Sequence, residues 1–121
     1  MKTGLIVDDS KVVRIFTRKI LEALNFKVEE AVDGVDALDK CTQSMPDFII
    51  LDWNMPNKNG IEFLKDLRHT KDGAKPIVIF CTTENEMSKI AMALETGANE
   101  YIMKPFDAEI LKNKLIQVGI I

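Results

Sequence analysis

Four short segments of this 121-residue sequence hold side chains that could do chemistry together. They are Asp8-Asp9, the run Asp52-Trp53-Asn54-Met55-Pro56-Asn57, Thr82-Thr83 and Lys104-Pro105, each directly after a short apolar run. Carboxylates crowded in one place cannot all stay ionised without a counter-charge, so either one protonates or a cation binds. A hard divalent ion such as Mg2+ suits Asp8, Asp9 and Asp52, because it takes oxygen ligands and keeps several waters. Asp52 could then act as a nucleophile, with the Lys104 ammonium and the Thr82 hydroxyl beside it. Phosphoryl transfer needs this kit of positioning and neutralised charge, and aspartate carboxylates do act as covalent acceptors.

Each segment alone has a plainer explanation. Asp8-Asp9 before a helix could be capping charge, worth under about 1 kcal/mol. Asp52 could be a turn-former beside Pro56, Thr82 a strand-end residue and Lys104 a solvated loop charge. What decides against these is that the segments converge, and convergence depends on the elements between them. Gly4–Val7, Phe48–Leu51 and Ile77–Cys81 are apolar on both faces, as buried parallel strands are. Tyr101–Met103 is a shorter run of the kind, and Phe26–Ala31, with Lys27, Glu29 and Glu30 interleaved, reads as an edge strand. This second strand also ends in a carboxylate, Asp33, with no further polar cluster after it.

Helical stripes fill the gaps: Val13, Phe16, Ile20 and Leu24; Leu38 and Cys41; Leu64 and Leu67; Ile90 and Leu94; Leu111, Leu115 and Val118. Ser10 and Asp107 can cap the first and last helices, Thr83 with Glu86 has capping-box spacing for the fourth, and Gly97 can end it. Strict alternation predicts an α/β fold: one doubly wound, five-stranded parallel sheet with five helices on its two faces. In such sheets ligands bind beyond the carboxyl ends of the strands, where the strand order reverses. In the order 2-1-3-4-5, the first and third strands are neighbours about 4.8 Å apart, and the fifth lies roughly 10 Å from the third. The long stem of Lys104 spans that gap.

Composition removes other classes. With 16 basic and 19 acidic residues the net charge is −3, without the basic cluster that gripping nucleic acid requires. No apolar run approaches the roughly 18 residues of a membrane span, and no secretory leader is seen. Cys41 and Cys81 lack CxxC spacing and histidine partners, so two free thiols in a cytoplasmic protein are expected. No repeat, linker or further domain is expected.

The motifs Ile6-Val7-Asp8-Asp9-Ser10, Leu51-Asp52-Trp53-Asn54-Met55-Pro56, Thr82-Thr83-Glu84, and Tyr101 followed by Lys104-Pro105-Phe106 resemble those of receiver domains of two-component response regulators. The likeness is greatest to the stand-alone chemotaxis regulator and spans one domain, residues 1–121. It implies a flavodoxin-like receiver fold and a phosphoacceptor with self-dephosphorylation rather than a turnover enzyme. By the resemblance, Asp52 accepts a phosphoryl group from a histidine kinase. Asp9, Asp52 and the Asn54 carbonyl bind Mg2+ directly, and Asp8 does so largely through water. Thr82 and Lys104 hold phosphoryl oxygens, and the bond before Pro105 is cis. Thr82 and Tyr101 form the switch, Asn54 and Glu84 tune dephosphorylation, and a protein target docks on the face of helix 4, strand 5 and helix 5. A monomer is expected. Where chemotaxis regulators usually carry basic residues at the start of the fourth helix, this chain has Asn85, Glu86 and Met87. A role as phosphorelay shuttle or phosphate sink is therefore the alternative to chemotaxis-type signalling.

Two other classes share parts of this chemistry. Phosphatases of the haloacid-dehalogenase kind place a general-acid aspartate two residues after the nucleophile, but here that residue is Asn54, whose amide cannot protonate a leaving alcohol. A flavodoxin-like FMN carrier needs a phosphate loop after the first strand, where Asp8-Asp9 would repel a phosphate.

Overall fold

The computed structural model describes residues 1–121. Five strands alternate with five helices: β1 (Thr3–Val7), α1 (Lys11–Ala23), β2 (Lys27–Ala31), α2 (Gly34–Gln43), β3 (Phe48–Asp52), α3 (Gly60–Arg68), β4 (Ile77–Thr82), α4 (Lys89–Thr96), β5 (Glu100–Met103) and α5 (Ala108–Gln117). All strand pairs are parallel, in the order β2-β1-β3-β4-β5, with the charged strand β2 at an edge. No helix is long and apolar enough to cross a membrane.

Two cores form because the apolar strands alternate with period two. Leu5, Val7, Ile49, Leu51, Val78 and Phe80 face α2, α3 and α4, meeting Ala37, Cys41, Phe63, Leu64, Leu67 and Ala93. Ile6, Phe48, Ile50, Ile79, Cys81 and Ile102 face α1 and α5, meeting Ile20, Leu21, Leu111 and Leu115. Gly4 makes room in β1 for the Phe48 ring, since a Cβ there would lie 2.4 Å from the ring's Cζ.

Ser10 caps α1 by accepting from the Val13 N–H at 3.3 Å, and Asp107 caps α5 by accepting from Ile110 at 2.9 Å. Gly97 ends α4 with φ of +128°, a conformation that suits glycine. Three expectations need correction. The capping box of Thr83 and Glu86 closes a short 3-10 turn, Glu84–Glu86, and α4 begins only at Lys89. Asn85, Glu86 and Met87 thus precede the fourth helix rather than start it. Within α4, Ala93 is buried whereas Leu94 of the expected stripe is exposed, because the packing of the helix against the sheet turns the Ala93 side inward. In α1 the buried face is Thr17, Ile20 and Leu21, while Phe16 is 47% exposed and packs at the rim, its ring centroid 6.1 Å from that of Phe106.

Candidate functional site

The register brings the strand ends level. Val7 pairs with Leu51, Asp52 with Cys81 and Thr82 with Met103, so Asp8, Asp52 and Thr82 stand on one edge of the sheet. Strand alternation then sorts their side chains. Asp8 continues the face of Ile6, and Asp52 that of Ile50 and its pair partner Cys81, towards α1 and α5. Thr82 continues the opposite face, after Phe80.

Local contacts fix each group. One oxygen of Asp8 accepts from the Ser10 N–H at 2.9 Å, and Arg14 donates to the Asp8 carbonyl at 2.7 Å. The loop after β3 folds back on the strand, with Gly60 N–H donating to the Trp53 carbonyl at 2.9 Å. A Cβ on Gly60 would lie 2.3 Å from the Asp52 carbonyl oxygen, so glycine permits this approach. The same loop is pinned from the side by Asp33, which caps α2 and accepts from the Asn57 amide at 2.7 Å. Asn57 sits at φ of +66°, a left-handed position asparagine tolerates. Lys104 N–H donates to the Thr82 carbonyl at 2.7 Å, and the Lys104–Pro105 peptide is cis.

At the centre, the Lys104 ammonium is 2.7 Å from Asp8 Oδ2 and 3.1 Å from Asp52 Oδ1. Carboxylate oxygens of Asp8, Asp9 and Asp52 all lie within 4.8 Å of one another. Asp8 and Asp52 are 3% and 8% exposed, whereas Asp9 is open to solvent and gives the cluster its entrance. Burial pushes the Asp52 carboxyl up to about 6; Lys104 opposes this, and the charges of Asp8 and Asp9 add to it. Burial also pulls Lys104 down, but its hydrogen bond to Asp8 and the charges of Asp52 and Asp8 outweigh that and hold it above the usual lysine range. One imbalance adds to both directions: a single ammonium faces three carboxylates. The ammonium stays charged, and Asp52, buried beside the other carboxylates, holds its proton more tightly than a free aspartate. An all-oxygen donor set with unbalanced charge fits a hard divalent cation such as Mg2+.

The other expected site residues stand apart from this cluster. The Thr82 hydroxyl is fully buried and donates to the Thr83 carbonyl at 3.2 Å. Asn54 and Glu84 are exposed, on the loop after β3 and in the 3-10 turn. Tyr101 is half-buried in β5, with the Lys114 ammonium 4.7 Å from its ring centroid. Sequence reasoning placed Lys104 near Asp52 but missed Asp8 as its nearer partner. It also missed Asn57 as the partner of Asp33, and a bond from the Trp53 indole N–H to the Glu86 carboxylate. Capping types at Asp33 and Glu86 were visible; nothing local marks partners 24 and 33 residues away.

Comparison with known proteins agrees with this geometry. The response regulator receiver domain family matches residues 5–116. Chemotaxis protein CheY-3 of Vibrio cholerae serotype O1 is 38% identical over 115 residues, covering 94% of this chain and 88% of that protein. The chemotaxis protein CheY homolog of Campylobacter jejuni is 40% identical over 116 residues, covering 94% of this chain and 89% of that one. The solved structure of chemotaxis response regulator CheY4 of Vibrio cholerae superimposes with a TM-score of 0.91 at 35% identity, covering 98% of both chains. A buried acidic cluster with its lysine, on a 2-1-3-4-5 sheet matched end to end, leaves one assignment: this chain belongs to the response regulator receiver domains.

Proposed function

We propose that this chain is a response regulator that takes a phosphoryl group on Asp52 from the phosphohistidine of a histidine kinase and thereby changes which protein it binds. The observation that carries the reading is the cluster itself: Asp52 ends a central strand, nearly buried, with Asp8, Asp9 and the Lys104 ammonium around it. In the transfer an Asp52 oxygen attacks phosphorus, the phosphorus–nitrogen bond breaks, and the imidazole leaves with the electron pair and takes up a proton. Asp9, Asp52 and the Asn54 carbonyl are the residues that would hold Mg2+, with Asp8 acting through water. The metal, when bound, neutralises charge on the attacking carboxylate and the phosphoryl oxygens.

This chain's own groups do the rest. Lys104, already within 3.1 Å of Asp52, neutralises one phosphoryl oxygen and holds it in place. The Thr82 hydroxyl meets another after giving up its bond to the Thr83 carbonyl. Asn54 and Glu84, both exposed, set the access of water and so the rate of self-dephosphorylation. Phosphorylation adds roughly −1.5 to −2 charges and three acceptor oxygens that Lys104 and Thr82 can meet only in that state. That difference in contacts is what shifts a two-state equilibrium. Thr82 and Tyr101 relay it to the face of α4, β5 and α5, where the protein target docks. The relatives' names support a chemotaxis-type role. A relay shuttle or phosphate sink is the second reading, favoured by Asn85, Glu86 and Met87 ahead of α4.

Intact mass after incubation with acetyl phosphate, with and without Mg2+, tests the reading in wild type and Asp52→Asn. One phosphoryl adduct that requires both Mg2+ and Asp52 is expected. Equal uptake by Asp52→Asn, or neither adduct nor acetyl phosphate consumption in wild type, overturns it.

A further inference from the structure

The turn between β4 and α4 contains a contact that the proposed phosphoryl chemistry does not use. The Trp53 indole N–H donates to Oε2 of Glu86. Oε1 of the same carboxylate accepts from the Thr83 N–H at 3.2 Å and from the Thr83 hydroxyl at 3.0 Å. Lys89, the first residue of α4, places its ammonium 4.5 Å from the indole centroid. Trp53 directly follows Asp52, and Thr83 directly follows Thr82. One glutamate therefore ties the residue after the acceptor to the residue after the hydroxyl that must move.

The restraint has a direction. The Thr82 hydroxyl points away from the acidic cluster, to the Thr83 carbonyl. To meet a phosphoryl oxygen on Asp52 the hydroxyl must leave the Thr83 carbonyl, and a movement of Thr83 with it is restrained. Thr83 is held at both its N–H and its hydroxyl by Glu86, and Glu86 is held by Trp53. Trp53 in turn is anchored through its carbonyl by Gly60. A displacement of Thr83 relative to Trp53 strains at least one of these bonds.

We propose that Glu86 is a positioning residue that latches Trp53 to the turn before α4 and holds the site in its unphosphorylated arrangement. The latch rests on the reading of Asp52 as phosphoacceptor and Thr82 as the hydroxyl that meets the phosphoryl group. It offers regulation: a partner that draws Glu86 or Lys89 away from Trp53 would make Asp52 a better acceptor.

The test is the second-order rate constant for phosphorylation by acetyl phosphate at fixed Mg2+, in wild type, Glu86→Ala, Trp53→Phe and the double variant. A charge-assisted hydrogen bond partly open to solvent corresponds to a rate increase of about three- to tenfold in each single variant. Because the bond that Trp53→Phe removes is also removed by Glu86→Ala, the double variant should be no faster than Glu86→Ala alone. Glu86→Gln keeps one acceptor oxygen and should fall between wild type and Glu86→Ala. Without any phosphodonor, emission from Trp53, the single tryptophan of the chain, should shift to the red in Glu86→Ala as the indole is released to water. Wild-type rates in both single variants, or increases that multiply in the double variant, overturn the latch while leaving Asp52 as acceptor. Failure of wild type to take a phosphoryl group on Asp52 overturns the functional reading and the latch together.

Discussion

Replacing Asp52 with asparagine in metal-free buffer should stabilise the folded protein at about pH 8 and do nothing for it near pH 3–4. Burial raises the Asp52 carboxyl from the ordinary 3.8 to about 6. Between those values the folded chain keeps a proton that the unfolded chain has released. The contribution of Asp52 to wild-type stability therefore falls as pH rises through this window and is level above it. A rise of roughly two pH units at about 1.4 kcal/mol each puts the loss near 3 kcal/mol. Asparagine keeps the shape of the side chain without a charge to desolvate, and Lys104 keeps Asp8 as its partner at 2.7 Å. The variant should thus melt roughly 6–12 °C above wild type at high pH, with the two curves converging in acid. Thermal denaturation followed by circular dichroism, stepped through this range in EDTA, measures it. Adding Mg2+ should then raise wild type more than the variant, because a cation that binds the folded state stabilises it by about 2.7 kcal/mol at a hundred times its dissociation constant. Parallel curves for the two proteins would refute the argument. So would a less stable variant at high pH, which would mean that the Lys104 bridge outweighs the burial of Asp52.

Two further outcomes follow from the packing. Gly60→Ala forces a Cβ to within 2.3 Å of the Asp52 carbonyl oxygen, against backbone that cannot rotate away; a loss of about 3 kcal/mol is expected, read from the urea midpoint. Cys41, pushed up to about 11 by burial, and Cys81, raised further by deeper burial, are both protonated at neutral pH. Iodoacetamide should therefore label neither in the native protein and both in urea, and mass spectrometry after timed quenching would expose a reactive native thiol.

Much of the fold was legible because its signals are local. Apolar runs such as Phe48–Leu51 and Ile77–Cys81 are too short and too β-branched for helices, and their alternation with helical stripes leaves a parallel sheet as the economical arrangement. Helix faces were less legible. A stripe such as Val13, Phe16, Ile20 and Leu24 shows that α1 is amphipathic, but its rotation is set by the sheet it rests on. There Thr17 and Leu21 face inward and Phe16 is left at the rim. Likewise a capping box marks where a backbone turn begins, and the turn can be 3-10 as readily as α. The box at Thr83 and Glu86 closes such a turn, and the helix waits for Lys89.

The site shows the same division more sharply. Which residues leave the strand ends is fixed by the primary sequence, but which of them touch is fixed by the parity of the strands. Asp8 and Asp52 sit one residue beyond Val7 and Leu51, which are paired and face the α2–α4 side; both acids must therefore face α1 and α5. Lys104, two residues beyond Ile102, continues that face and reaches both acids. Thr82 lies two residues beyond Phe80 and belongs to the opposite face, so its hydroxyl is excluded from the ion cluster and turns to its own backbone. Four residues that look equivalent as strand-end polar groups thus divide into three that are joined by charge in the resting protein and one that is not. The outlier is the group with somewhere to go. A hydroxyl already bonded to Asp52 could report nothing new when a phosphoryl group arrives. One held by the carbonyl of the next residue, Thr83, has a contact to exchange, and on the proposed function that exchange carries the change to α4.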